Sequence, residues 1–145
     1  MSVYLHENVS SPDITNRKLN QTIYDLKRRN YIDFGPSDSV ILTNKAKIKI
    51  IDKIIKTKKQ DGHYRLISFD IPEDKRNNRN NFRRAIKRMG FKQVQKSLWV
   101  SKENVGELVE IAANEYKVSQ YIAYFIVDKS NIDSHLNKLF ESMHP

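Results

Sequence analysis

Asp70 is the residue of this sequence best placed to do chemistry, because it ends an apolar segment and precedes a turn. It follows YRLISF, residues 64–69, and comes directly before Ile-Pro. A carboxylate that leaves a strand for a loop is well placed to bind Mg²⁺ or Mn²⁺. One carboxylate binds such an ion weakly, but two copies of the chain that met across a two-fold axis could share one ion between their Asp70 side chains, which would then be metal-binding, catalytic residues. The alternative is structural: Asp70 accepts hydrogen bonds in the turn or pairs with Arg76 or Arg79.

A strongly basic helix is predicted immediately after this turn, at residues 74–89. Apolar residues recur at helical spacing on its inner side, while arginine dominates its outer side. Guanidinium groups pair bidentately with phosphate oxygens. We therefore interpret the outer side as a surface for the phosphates of a nucleic acid; a solvated helix face is the competing interpretation. The residues predicted to bind phosphate here are Arg76, Arg79, Arg83, Arg84 and Lys87.

The overall charge also favours a polyanionic partner. The 145 residues carry a formal net charge of +9, and the last third contributes none of it, since residues 101–145 hold 4 Lys or Arg against 7 acidic residues. The absence of cysteine excludes disulfides, thiolate metal sites and a cysteine nucleophile. We find no signal-peptide pattern and no apolar run of about 20 residues, so we expect a cytoplasmic protein with no membrane partner.

The elements expected before this region are those of a partial winged helix. The pattern predicts a helix at 14–30, two short strands at 31–34 and 39–42, and a helix at 44–58. In a winged helix, a helix enters the major groove and the hairpin contacts the DNA backbone. The residues predicted to face the groove are Arg17, Gln21, Tyr24 and Arg28. The residues predicted to bind phosphate are Lys45, Lys49 and Lys53.

The element order after a polar linker predicts a ferredoxin-like domain. Residues 64–127 read as strand, helix, two strands, helix and strand, the βαββαβ order of that fold, and a short helix follows at 131–142. The fold class predicted is therefore α+β, with a ferredoxin-like βαββαβ domain preceded by a partial winged helix. The predicted segments are a flexible N-terminus at 1–13, the partial winged helix at 14–59, the ferredoxin-like domain at 60–130 and a C-terminal helix at 131–145.

Several short motifs resemble the Cas2-like central domain of PaaX-type transcriptional repressors and the small CRISPR-associated endonuclease of the Cas2 type. The preceding IYDLKRRNYIDF and VILTNKAK look like the winged-helix segment of PaaX-like proteins. The motifs that carry the resemblance are FDIPEDKR at 69–76, FRR at 82–84, GF at 90–91, QKSLWV at 95–100 and VSQYIAYFIVD at 118–128.

The resemblance implies a homodimer that joins through its sheets and binds double-stranded DNA without a cofactor. The fused N-terminal segment favours a PaaX-like transcriptional regulator or accessory DNA binder. The alternative is a Cas2-type protein, either an endonuclease in which Asp70 binds Mg²⁺ or Mn²⁺, or the structural subunit that joins the CRISPR integrase during spacer acquisition. An enzyme is expected only under the endonuclease alternative. A protein-interaction module that uses the last strand and the terminal helix is a third interpretation.

Overall fold

Two separate antiparallel sheets organise the protein in this computed structural model, which describes Tyr4–Leu5 and residues 16–141. The chain divides into two units, residues 1–50 and 51–145. A three-stranded sheet lies in the first unit and a four-stranded sheet in the second. Helices accompany both sheets, so the α+β class predicted from the sequence is confirmed.

The first unit contains the elements α1, β2, β3 and α2 in chain order, together with a strand that the sequence did not predict. That strand, β1, pairs with β3, so the sheet order is β1-β3-β2. The structure does not describe the other residues of the segment predicted to be flexible. Nor does it describe the predicted start of the first helix. The element bounds are Tyr4–Leu5 for β1, Asn16–Arg28 for α1, Ile32–Phe34 for β2, Val40–Leu42 for β3 and Asn44–Lys49 for α2.

Local sequence explains where these helices begin and end. Asn30 adopts a φ of 61°, and the Tyr31 N–H donates to the Leu26 carbonyl, so α1 ends in a left-handed residue. Thr43 caps α2, since its Oγ1 accepts a hydrogen bond from the Ala46 N–H at 3.2 Å.

The single helix predicted at 44–58 is wrong, because the chain leaves the helical conformation at Ile50. Ile50 has φ −109° and ψ 24°, and a new helix, α3, runs over Ile51–Lys56. The Ile50 N–H is shared between the carbonyls of Ala46 and Lys47, which tightens the last turn of α2. No glycine or proline marks the break. The predicted row of lysines is therefore divided, with Lys45 and Lys49 in the first unit and Lys53 in the second.

The second unit has the chain order β4, α4, β5, β6, α5, β7, α6. Its sheet order is β5-β6-β4-β7, and every neighbouring pair is antiparallel. The strands are β4 at Tyr64–Phe69, β5 at Lys92–Gln95, β6 at Leu98–Ser101 and β7 at Ile122–Val127. The helices are α4 at Arg76–Arg88, α5 at Gly106–Glu115 and α6 at Asp133–Glu141.

Helices pack on both faces of this sheet, but they do not cover all of β7. On one face the fully buried ring of Phe82, from α4, packs edge-on against Phe69 of β4 with centroids 5.6 Å apart. On the other face Leu136, from α6, packs on Tyr64. Phe125 on β7 stays 49% exposed. The helices therefore cover the central strand β4 better than the edge strand β7.

Candidate nucleic-acid interface

The outer side of α4 is the most cationic surface of the second unit. The helix contains no acidic residue, and its apolar positions Phe82, Ala85 and Ile86 are buried against the sheet. Burial of those positions leaves the cations of α4 exposed, except Arg79 and Arg83, which are half-buried, because residues three and four apart share one helix face. The cations of α4 are Arg76, Arg79, Arg83, Arg84, Lys87 and Arg88.

Carboxylates from neighbouring elements neutralise part of this surface. Glu73 lies 3.1 Å from Arg79 and 3.8 Å from Arg76, measured from carboxylate oxygen to guanidinium nitrogen. Arg88 lies 3.4 Å from Asp52 of α3. Arg76 and Arg79, both predicted to bind phosphate, therefore already share one carboxylate.

The remaining α4 cations form a smaller surface without ion pairs, which we call the α4 patch: Arg83, Arg84 and Lys87. Arg84 hydrogen-bonds to the side chain of Asn81, an uncharged partner. Within residues 16–141, no carboxylate lies within ion-pair distance of any member of the patch. Cations without protein carboxylates are those most available to phosphate.

Asp70 is exposed at the end of β4, and the structure gathers no metal-binding group around it. Its backbone N–H donates to the Tyr121 carbonyl at 3.2 Å. Among the described residues Asp70 forms no ion pair, so its predicted pairing with Arg76 or Arg79 is wrong; both arginines pair with Glu73 instead. The described part of the chain contains no group of three or more His, Cys, Asp or Glu residues able to hold a metal ion. Those described residues of one chain therefore do not assemble the ligand set that Mg²⁺ or Mn²⁺ needs.

The predicted groove-facing residues of α1 do share one exposed side of that helix. Tyr24 is 63% exposed. Asp25 lies beside this side, where it accepts a hydrogen bond from the Gln21 amide at 3.3 Å and lies 3.9 Å from Arg28. The structure therefore brings together Arg17, Gln21, Tyr24 and Arg28, and their contact with DNA stays a prediction.

Lys45 and Lys49 form a cluster around an aromatic ring that the sequence did not indicate. Their ammonium groups lie 4.9 Å and 5.2 Å from the centre of the Tyr31 ring, and the Lys49 ammonium donates to the Tyr31 hydroxyl at 3.1 Å. The hydrogen bond from Lys49 and the nearby positive charges lower the pKa of Tyr31 from its usual value. Two of the predicted phosphate-binding lysines are thus held close together.

One cation of the second unit is buried and belongs to the fold. The Arg65 side chain is 3% exposed, and its two terminal nitrogens donate to both oxygens of Asp61 at 2.5 and 2.6 Å. This bidentate bond holds the pKa of Asp61 well below its usual value. Burial raises the pKa of the neighbouring Tyr124, which also hydrogen-bonds to Arg65. Arg65 is therefore unavailable to DNA.

The Asp61→Asn variant is expected to lose a part of the stability that depends on pH. Because the folded-state pKa of Asp61 is depressed, its contribution is complete above the unfolded-state pKa of about 4 and disappears as pH falls through the folded-state pKa. The stability gap between the parent and the variant should therefore be widest near neutral pH and narrow in acid. Urea unfolding at a series of pH values measures it. Asp74→Asn, at an exposed carboxylate, is the control, and a gap independent of pH would contradict the prediction.

The fold and these surfaces define an α+β protein with an exposed basic helix packed on an antiparallel sheet. A family comparison identifies residues 57–138 as a PaaX protein central Cas2-like domain. The match covers more than half of the chain, and the chain belongs to this family, as its motifs indicated. No curated protein and no solved structure matches the chain. Of the helices that the structure describes, none has the length and apolar character needed to cross a bilayer.

Proposed function

We propose that this protein is a cytoplasmic, homodimeric regulator of the PaaX type that binds double-stranded DNA. The observation that carries the proposal is the α4 patch. It consists of three neighbouring cations without ion pairs on a helix whose apolar side is buried against the sheet. Such a surface gains free energy from phosphates mainly by releasing their counter-ions. The membership of the Cas2-like domain in the PaaX family supports a regulator.

The arrangement of elements supports the finer description of both units. The chain order of β4 through β7 with α4 and α5 is the βαββαβ order of a ferredoxin-like domain, and the central strands of the sheet are β6 and β4. In the first unit, α1, the β2–β3 hairpin and α2 follow the order of the later part of a winged helix. The exposed side of α1 would then read base edges while Lys45 and Lys49 contact phosphates.

The edge strand β7 supports a homodimer. Phe125 and Ile126 are 49% and 60% exposed on this strand, which has a neighbour on one side only. Exposed apolar residues on an unpaired strand edge favour association with another surface. A second copy of the chain would cover both copies of the strand with matching apolar surface.

Removing two charges from the α4 patch is the experiment that tests duplex binding. In Arg84→Gln plus Lys87→Gln, the affinity for a short duplex should fall, and the slope of log affinity against log salt should shrink by about 2, because each phosphate contact contributes roughly 0.9. Fluorescence anisotropy of labelled DNA over a range of salt concentrations measures both quantities.

The matched control removes the same charge from exposed positions elsewhere in the second unit, with Lys117→Gln plus Lys129→Gln. This control should keep the parental slope. Equal slopes for both double variants would exclude the α4 patch as the DNA surface. Repeating the assay with Mn²⁺ and examining the DNA on a gel tests the endonuclease alternative, which requires cleavage by the parent and none by Asp70→Ala.

A further inference from the structure

A cavity of about 400 Å³ lies beside the C-terminal half of α4, at the edge of the sheet formed by β5. Arg83 and Lys87 of α4 line one side of it, and Gln93 of β5 and Trp99 of β6 line another. Phe91 adds apolar surface, and no acidic residue lines the cavity. This volume is within the range of small-molecule sites in proteins.

Two buried donors at this cavity have no hydrogen-bond acceptor. The indole Nε1 of Trp99 and the guanidinium Nε of Arg83 are both buried without a hydrogen-bond partner. The whole Trp99 residue is 2% exposed. Buried N–H groups in proteins are nearly always paired, so two unpaired donors beside one cavity mark this place as short of acceptors. A phosphate group carries several strong acceptor oxygens.

The charges and the ring at the cavity select the rest of the ligand. The Lys87 ammonium lies 5.8 Å from the centre of the Trp99 ring, so a cation sits directly above the aromatic floor. The Gln93 amide donates its Nε2 to the Lys96 carbonyl at 3.0 Å, which leaves its oxygen as an acceptor. Together these residues offer two cations and an amide oxygen beside a buried aromatic ring, the chemistry that recognises a phosphate attached to a polar ring.

We propose that the cavity binds a nucleoside monophosphate, either as a free nucleotide or as the terminal nucleotide of a DNA strand. Arg83 and Lys87 bind its phosphate, and the side-chain oxygen of Gln93 accepts a hydrogen bond from the base. The free-nucleotide form of the inference is independent of duplex binding, whereas the strand-end form rests on it. Because the cavity shares Arg83 and Lys87 with the DNA-binding helix, the test needs a signal confined to the cavity.

Trp99 supplies that signal, because it is the one tryptophan of the chain. Thymidine monophosphate should change the Trp99 fluorescence in a saturable manner, and thymidine should not. Arg83→Gln should weaken the affinity for the nucleotide by about tenfold or more, because it removes a hydrogen bond to a charged group. Lys117→Gln is the matched control, since it removes one positive charge at an exposed position of the same unit that does not line the cavity; its nucleotide affinity should equal that of the parent.

Further arms separate the sources of the nucleotide and the two proposals. A duplex with a phosphorylated single-stranded end that changes Trp99 fluorescence, where a blunt unphosphorylated duplex does not, identifies a strand end; a response to the monophosphate alone identifies a free nucleotide. Equal responses to inorganic phosphate and nucleotide, or to thymidine and nucleotide, would overturn the inference, as would an unchanged affinity in Arg83→Gln. Lys87→Gln repeats the test if Arg83→Gln unfolds. Anisotropy on blunt duplex reports the regulator proposal separately, so either can fail alone.

Discussion

Phe82→Ala is expected to reduce the free energy of unfolding of the second unit by about 3–5 kcal/mol, the usual cost of removing a buried aromatic ring. Phe82 is fully buried and packs edge-on against Phe69, which in turn stacks near Trp99 with ring centroids 6.3 Å apart. The ring therefore fixes α4 on the sheet, and its loss leaves a cavity beneath the whole basic helix. Domains of this size have a total stability of about 5–15 kcal/mol, so this loss is large.

Urea unfolding followed by Trp99 fluorescence measures this effect, because Trp99 lies in the same unit and close to the altered site. Phe82→Leu keeps an apolar side chain in the core and should lose less stability than Phe82→Ala. If the two variants and the parent unfolded at the same urea concentration, the packing of α4 on the sheet described above would be wrong. Duplex binding by Phe82→Ala at low temperature would show how far the α4 patch depends on that packing.

Phe125→Glu is expected to weaken the proposed dimer by about a hundredfold or more. A central aromatic residue of an interface commonly contributes at least ~2 kcal/mol, and in a symmetric dimer each substitution is made twice. Two glutamates near the same two-fold axis would also repel each other. Sedimentation velocity over a range of protein concentrations measures the dissociation constant.

The matched control for this prediction is Tyr24→Glu. Tyr24 is an aromatic residue of similar size that is 63% exposed on α1, outside the sheet proposed to dimerise. It should leave the dissociation constant unchanged. A parent protein that stays monomeric at every concentration would contradict the dimer, and an unaffected Phe125→Glu dimer would place the interface elsewhere.

The element order of the second unit was predictable because its pattern is strongly periodic. Phe82, Ala85 and Ile86 recur at helical spacing, and the structure buries all three. The last strand of the predicted βαββαβ order is likewise present, and it runs over Ile122–Val127, after a turn of 3₁₀ helix at Ser119–Tyr121. Patterns of this kind report which face of an element is buried.

Two local side-chain contacts could not be predicted in the same way. The bidentate pair of Asp61 with Arg65 places a cation in the sheet where sequence patterns predict exposure. Helix α5 begins at Gly106, and the hydroxyl of Ser101, which lies buried in β6, accepts a hydrogen bond from the Glu103 N–H at 3.0 Å. Such outcomes depend on which side chains are buried and in contact after folding, and the pattern of a single sequence does not show those contacts.

Half of the α4 cations are neutralised by the carboxylates of Glu73 and Asp52, which are covalently part of the protein and cannot diffuse away as free counter-ions do. A free ion beside Arg76, Arg79 or Arg88 would diffuse away when DNA binds and gain entropy, whereas a tethered carboxylate only turns aside. The entropy that α4 gains on binding DNA would therefore come from its other three cations. A count of the positive residues of α4 in the sequence overestimates that entropy gain about twofold, because the sequence does not show which of them are already paired with a carboxylate.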